Sequence, residues 1–533
     1  MPALRVSPVA FALLLAVELA LLRLATSRHP RIAQIARVSM CAVPLIAAFA
    51  LRIVQALATR DVLEWDETYY LSAAVTGAAG RGLYPYVFGY GQMAIMGGLG
   101  YAGYLYALAV RLAGPDILAL RVVSLIASAS ALVFMWLLVR RLYGAGAAWF
   151  TTALVSTLRL FAMSNTVRMD SITFAFATGG LLVVAHAFQH WQAKRWHLAA
   201  GLVMGLGLQA HIDTVITTAG CGLLYVAASY RDARHAERLV VPTPLLLFVA
   251  GWCLGLAIFV AANVLPDPEA FYALTVRIRV DATNWYSSGT SSLLGSILDP
   301  RILIAKESAL YGVLFHQLHW LEITVIASAL AAALVRRANA DKAVLVVTAG
   351  VLVAAALVLN NASPLYFIHV VPALVLPLGA LFSHGFSRRE RIDVTHLLTR
   401  SLLGFAVVVS ALFAVNNAKT IAWASPSNDS ADAAYANVVR HIADPACVIA
   451  GDGRLYVRYF ADYPYFISAR RTEVTYAMLF YGTANEADYW EIKSPGVVFW
   501  EGPLPGELAA YVERHQIPSV SDGVWAKAPC VQR

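Results

Sequence analysis

Long apolar runs separated by short polar joints recur along the chain to about residue 420, and beyond that the pattern changes. A helix that crosses a bilayer needs about 20 consecutive apolar residues. Read this way the runs predict twelve spans: Ser7 to Ala25, Val38 to Ala58, Asp116 to Val139, Ala145 to Met163, Ile172 to Gln189, Leu198 to Ala210, Thr214 to Ala228, Leu245 to Val264, Leu314 to Val335, Ala343 to Leu359, Leu365 to Phe382 and Ser401 to Thr420. Two stretches between spans are long, 60–115 and 266–306. The first is rich in Gly and Tyr, and Gly97 to Leu112 reads as a helix lying along the interface, where a ring with a polar tip is satisfied.

Composition agrees. Of 533 residues 59% are hydrophobic and 14% charged, against about 25% charged in soluble domains. The expected fold class is a polytopic α-helical membrane protein. The net charge of +8 does not mark a nucleic-acid binder, because no basic tract interleaved with aromatics occurs. Instead Arg140-Arg141, Lys194-Arg195, Arg336-Arg337 and Arg388-Arg389 fall in joints of one parity, the positive-inside pattern of cytoplasmic loops. A cleaved signal peptide competes for the first segment, but it would put the basic loop of Arg28, Arg31 and Arg37 outside. The opposite parity gathers Asp66, Glu67, Arg168, Asp170, His211, Asp213, Arg277 and Arg279 on the exocytoplasmic face.

After Thr420 the composition is that of a soluble domain. Asp432 to Ile442 and Glu507 to His515 have helical spacing, and Cys447 to Ala450 and Val497 to Trp500 read as buried strands. Residues 421–533 are therefore expected to form a small exocytoplasmic α/β domain beside a membrane domain of 1–420. In an oxidising compartment Cys447 and Cys530 either pair or remain two thiols. The other cysteines lie in apolar spans, and no zinc-type Cys/His spacing is present.

The stretch that organises these features is Trp65-Asp66-Glu67-Thr68-Tyr69-Tyr70, two adjacent acids flanked by aromatics just beyond a span. Ionisable groups at a membrane edge need water, a partner or a substrate; read alone, the pair is equally a solvated loop. With it come Tyr84-Pro85-Tyr86 in the long outer loop, Arg140-Arg141-Leu142-Tyr143-Gly144 closing a span, Arg168-Met169-Asp170 in an outer turn, and an aromatic stretch from Tyr366 running into Pro372-Ala373-Leu374. Over about Met40 to Phe382 this combination resembles the GT-C superfamily of polyprenyl-phosphate-sugar-dependent glycosyltransferases, in particular the protein O-mannosyltransferase, aminoarabinose transferase and lipopolysaccharide galacturonosyltransferase branch. The chain departs from that pattern in an extra span before the acids, in His211 where relatives often carry Lys, and in Ile368-His369 where they often have Arg-Tyr.

The resemblance implies an inverting transfer of a sugar from a polyprenyl-phosphate donor to a hydroxyl of a glycan, glycolipid or protein acceptor. It assigns the base to Asp66 and an auxiliary or acceptor-positioning role to Glu67. The leaving phosphate calls for fixed cations. Arg168, oriented by Asp170, is the first choice, and a surface ion pair within the turn is its bland reading. Arg277 and Arg279 read as phosphate contacts or as lipid-headgroup contacts. His211 and Asp213 read as phosphate neighbours or as a capped turn. Trp65, Tyr69 and Tyr70 read as a sugar platform or as interfacial packing. No cofactor is required, while Asp66, Asp170 and Asp213 offer oxygens to a divalent cation. Alanine and arginine usage fits the inner membrane of a bacterium. Two other classes compete: a secondary transporter, which would carry its charges in mid-span and show internal repeats, and a non-catalytic membrane scaffold with an outer binding domain.

Overall fold

A computed structural model describes residues 66–80, 100–157, 166–236, 243–272, 320–336, 338–358, 369–385, 447–451, 466–469, 485–500 and 503–530, with brief gaps and scattered residues elsewhere. The expected spans Ser7 to Ala25, Val38 to Ala58 and Ser401 to Thr420, and the helix at Asp432 to Ile442, fall largely or wholly outside these residues. The rest is mostly helical. Among the described residues four helices are long and apolar enough to cross a membrane by length and composition: Ile117–Tyr143, Asp170–Gln189, Thr243–Val264 and Asn339–Val358.

The helices described in full begin with α1 (Asp66–Ala78) and α2 (Gly100–Ala113), so the acidic pair begins a helix. Helix α3 (Ile117–Tyr143) starts where the Asp116 carboxylate accepts the Leu118 amide at 2.9 Å, a side-chain N-cap. It stops at Gly144, whose φ of 91° is open to a residue without Cβ and whose amide returns to the Arg140 carbonyl. Helices α4 (Ala145–Thr157), α5 (Asp170–Gln189), α6 (Lys194–Leu206) with its 3-10 extension Gly207–Gln209, α7 (Thr214–Ala236), α8 (Thr243–Phe259) with a π turn Val260–Val264, α9 (Trp320–Arg336) and α10 (Asn339–Val358) follow. The run expected as one span from Leu365 to Phe382 is instead broken into α11 (Val371–Val375) and α12 (Leu378–Gly385). Pro377 lies in the break; it has no amide to donate and crowds the preceding turn.

Helix α6 meets α8 backbone to backbone. A Cβ on Gly201 would lie 1.9 Å from the Phe248 carbonyl oxygen, one on Gly251 2.1 Å from that of Leu198, and one on Gly255 2.6 Å from the Gly205 Cα. Gly201 and Gly205 face Gly251 and Gly255, the small-xxx-small spacing that lets membrane helices approach closely.

The C-terminal part holds a five-stranded sheet in the order β2-β1-β3-β5-β4, from β1 (Ile449–Gly451), β2 (Phe466–Ser468), β3 (Val497–Phe499), β4 (Ser519–Ser521) and β5 (Val524–Ala526). β1 runs parallel to β2 and β3; β5 is antiparallel to β3 and β4. Successive strand residues point to opposite faces. Ile449, Val497, Phe499, Val524 and Ala526 belong to one buried cluster with Tyr70, Tyr106, Ile117 and Leu120 of α1 to α3. Ala450, Ile467 and Val498 pack with Tyr489 and Trp490 of α13 (Glu486–Lys493) and Leu508 and Tyr511 of α14 (Gly506–Arg514). A disulfide joins Cys447 and Cys530, Cα atoms 6.0 Å apart.

Candidate functional site

The site is built from Glu67 outward. Its carboxylate is fully buried and receives both Nε and Nη2 of Arg121, at 3.0 and 2.7 Å. Arg121 is equally buried, and its Nη1 donates to the Ala56 carbonyl at 3.1 Å. A bidentate guanidinium with a further acceptor is the arrangement in which two charges tolerate burial. Glu67 Oε1 also accepts the Val167 amide at 3.0 Å. One side chain thus fastens the N-terminus of α1 to α3 and to the turn before α5, 100 residues away in sequence.

That turn carries the next pair. Arg168 Nε donates to Asp170 Oδ2 at 2.6 Å, with both side chains about 3% exposed. Tyr106 of α2 shares a 2.9 Å hydrogen bond with Ser124 and donates to the Arg168 carbonyl at 2.7 Å. Burial raises the Tyr106 phenol above its usual range, so it remains a neutral donor.

Beyond Asp170 lies a group drawn from two distant segments. Asp170 Oδ1 is 3.9 Å from His369 Nε2, which is 3.8 Å from Asp213 Oδ2. Asp213 Oδ2 is in turn 3.4 Å from His211 Nδ1. The imidazole rings of His211 and His369 stack, centroids 4.9 Å apart and planes 18° apart. His211 and Asp213 sit in the bend between the 3-10 turn and α7. There the Asp213 amide donates to His211 Nδ1, and Thr214 Oγ1 donates to the His211 and Gly207 carbonyls. His211, Asp213 and His369 each offer a ligand atom to a common point, all within 4.8 Å of one another.

The structure therefore brings together Glu67, Arg168, Asp170, His211 and Asp213. Tyr69 and Tyr70 are 6% and 3% exposed and meet edge to face at 5.3 Å, Tyr70 meeting Tyr106 likewise at 5.9 Å. Both rings are buried in this aromatic cluster. Asp66 is the first residue of α1; its side chain, Trp65, Arg277 and Arg279 lie outside the described residues. Sequence reading missed Arg121, Tyr106 and His369. Arg121 carried a legible signal, since a charge one turn inside an apolar span needs a partner. His369 stood out only as a departure from the Arg-Tyr of similar proteins, and its neighbours, Asp170 and the His211 bend, are brought to it by the fold.

Comparisons with known proteins agree with this architecture. Residues 101–262 match the family model described as dolichyl-phosphate-mannose-protein mannosyltransferase. Over that stretch, less than a third of the chain, the sequence is similar to this glycosyltransferase family. Among solved structures the chain is similar to ArnT from Cupriavidus metallidurans bound to undecaprenyl phosphate, with 15% identity, 92% of this chain and 97% of that one covered, and a TM-score of 0.56. It is also similar to the oligosaccharyltransferase AglB from Archaeoglobus fulgidus in complex with an inhibitory peptide and a dolichol-phosphate, with 13% identity, 87% and 69% covered, and a TM-score of 0.52. No curated protein matches by sequence.

Proposed function

We propose that this enzyme moves a sugar from a polyprenyl-phosphate donor to a hydroxyl of a glycan, glycolipid or protein at the exocytoplasmic face of a bacterial inner membrane. In this reading the chain spans the membrane twelve times and residues 421–533 form an outer α/β domain. The acceptor oxygen attacks the anomeric carbon opposite the phosphate, and Asp66 takes the hydroxyl proton. The bond from carbon to phosphate oxygen breaks, its electron pair leaves on the phosphate, and the anomeric configuration inverts. Arg168, aimed by Asp170, meets the charge that grows there. Glu67 positions rather than reacts, since both its oxygens are engaged by Arg121 and the Val167 amide.

The observation that carries the reading is the Glu67–Val167 hydrogen bond. It joins the segment that begins with Asp66 to the turn that bears Arg168, so base and phosphate cation serve one site. The undecaprenyl phosphate bound by ArnT and the dolichol-phosphate bound by AglB support a lipid monophosphate as leaving group. The test is to supply the purified protein in vesicles with a panel of polyprenyl-phosphate sugars and acceptors and to measure released polyprenyl phosphate. Release that Asp66→Asn abolishes is expected. Release from no donor by folded wild-type protein, or full activity in Asp66→Asn, overturns the proposal.

A further inference from the structure

We propose that His211, Asp213 and His369 hold one divalent cation of the zinc or manganese type, whose open coordination position takes a phosphate oxygen of the lipid-linked donor; the second half rests on the function proposed above.

The distances are those of an opened ligand cage. A tetrahedral ion with ligands at about 2.0–2.1 Å places ligand atoms about 3.3 Å from one another. His211 Nδ1 and His369 Nε2 stand 3.4 and 3.8 Å from Asp213 Oδ2, and all three ligand atoms lie within 4.8 Å, so closure draws the two imidazoles together and turns them out of their stack. Loading replaces the hydrogen bond from the Asp213 amide to His211 Nδ1, or turns the ring to present Nε2. Two imidazoles and one carboxylate leave a fourth position open, as catalytic rather than structural ions require. Mixed nitrogen and oxygen donors favour zinc, manganese or cobalt over magnesium and calcium, which take oxygen. The set differs from the all-oxygen trio of Asp66, Asp170 and Asp213 expected from sequence.

Charge points the same way. Asp170 and Asp213 are both 2% exposed, and a carboxylate out of water is costly unless a cation or hydrogen bonds meet it. A divalent cation adds positive charge beside them, the sign that receives a phosphate. Asp170, 3.9 Å from His369 Nε2, then stands as an outer carboxylate that orients a ligating ring, a role such groups commonly fill.

The test uses the full chain in nanodiscs, stripped with chelator and re-equilibrated with zinc alone, with bound metal counted after desalting. One zinc per chain is expected, held more than 100-fold tighter than magnesium. His369→Ala and Asp213→Asn should each weaken it at least 10-fold, and zinc should raise the unfolding temperature of wild type but not of these variants. Where His369→Ala folds poorly, His369→Gln takes its place. Absence of stoichiometric zinc, or zinc binding unchanged in the variants, overturns the site. Cobalt in place of zinc reports the open position: polyprenyl phosphate in the nanodisc should change its visible spectrum. No change, or the same change with inorganic phosphate alone, overturns the donor assignment. Sugar release that survives chelation and these substitutions removes the metal from the reaction while leaving the transferase intact. Zinc bound without any sugar release does the reverse.

Discussion

The two ends of the α3/α5 pair treat charge in opposite ways. From Arg121 to Arg140, and from Asp170 to Gln189, each helix covers 20 residues, roughly 28 Å of rise from end to end and close to the thickness of a hydrocarbon core. At the Arg140 end the basic residues lie at the surface. Arg140, Lys194, Arg195 and Arg231 are exposed, and Arg141 donates to the Gln189 side chain. At the Arg121 end Glu67, Arg121, Arg168, Asp170, His211, Asp213 and His369 are all buried, and each touches another of the group. Water and headgroups screen the first set one residue at a time. The second set is held by buried ion pairs and by hydrogen bonds to the backbone, so its geometry is over-determined. A molecule that needs one end merely to orient it and the other to perform chemistry is expected to differ in this way.

Breaking the buried end should cost most. Asp66→Asn is expected to lower sugar release by about 10²–10⁴-fold without changing the unfolding temperature; unaltered release would remove Asp66 from the reaction. Arg168→Ala should follow with about 10²–10³-fold, and Arg168→Lys should recover only part of it, since a point charge lacks the planar contact with Asp170. Glu67→Ala strands Arg121 and should cost about 3–5 kcal/mol of stability. Combining Glu67→Leu with Arg121→Met should give back most of that loss in thermal unfolding while activity stays low, which separates the structural part of Glu67 from its positioning of the site. At the opposite end Arg195→Ala should change stability by less than about 1 kcal/mol. A larger drop there would erase the contrast between the two ends.

The sequence already announced whatever depends on local pattern. Hydropathy marked α3, α5, α8 and α10, and the span read from Asp116 begins where α3 does, although α3 runs past Val139 to Tyr143. The adjacency of Asp66 and Glu67 and the Arg-x-Asp turn named most of the site. Averaging over a window hid other features. One Arg121 does not disturb the mean hydropathy of a 27-residue helix, and neither does Pro377 within the α11–α12 run. Strands β4 and β5 are three residues each, too short for alternation to show. His369 and His211 are separated by 158 positions, and only the packed fold makes them neighbours.

The seam between α6 and α8 reaches further than helix packing. No side chain cushions Gly201 and Gly205 against Gly251 and Gly255, and α6 runs straight on through its 3-10 turn to the His211 bend. At the far end of α8, Asn263 Nδ2 donates to Gln209 Oε1 at 2.9 Å. The two helices therefore act as a rigid caliper whose jaw sets the height of His211 and Asp213. One methyl group added at Gly201, remote from any sugar, would be felt first as a misplaced imidazole.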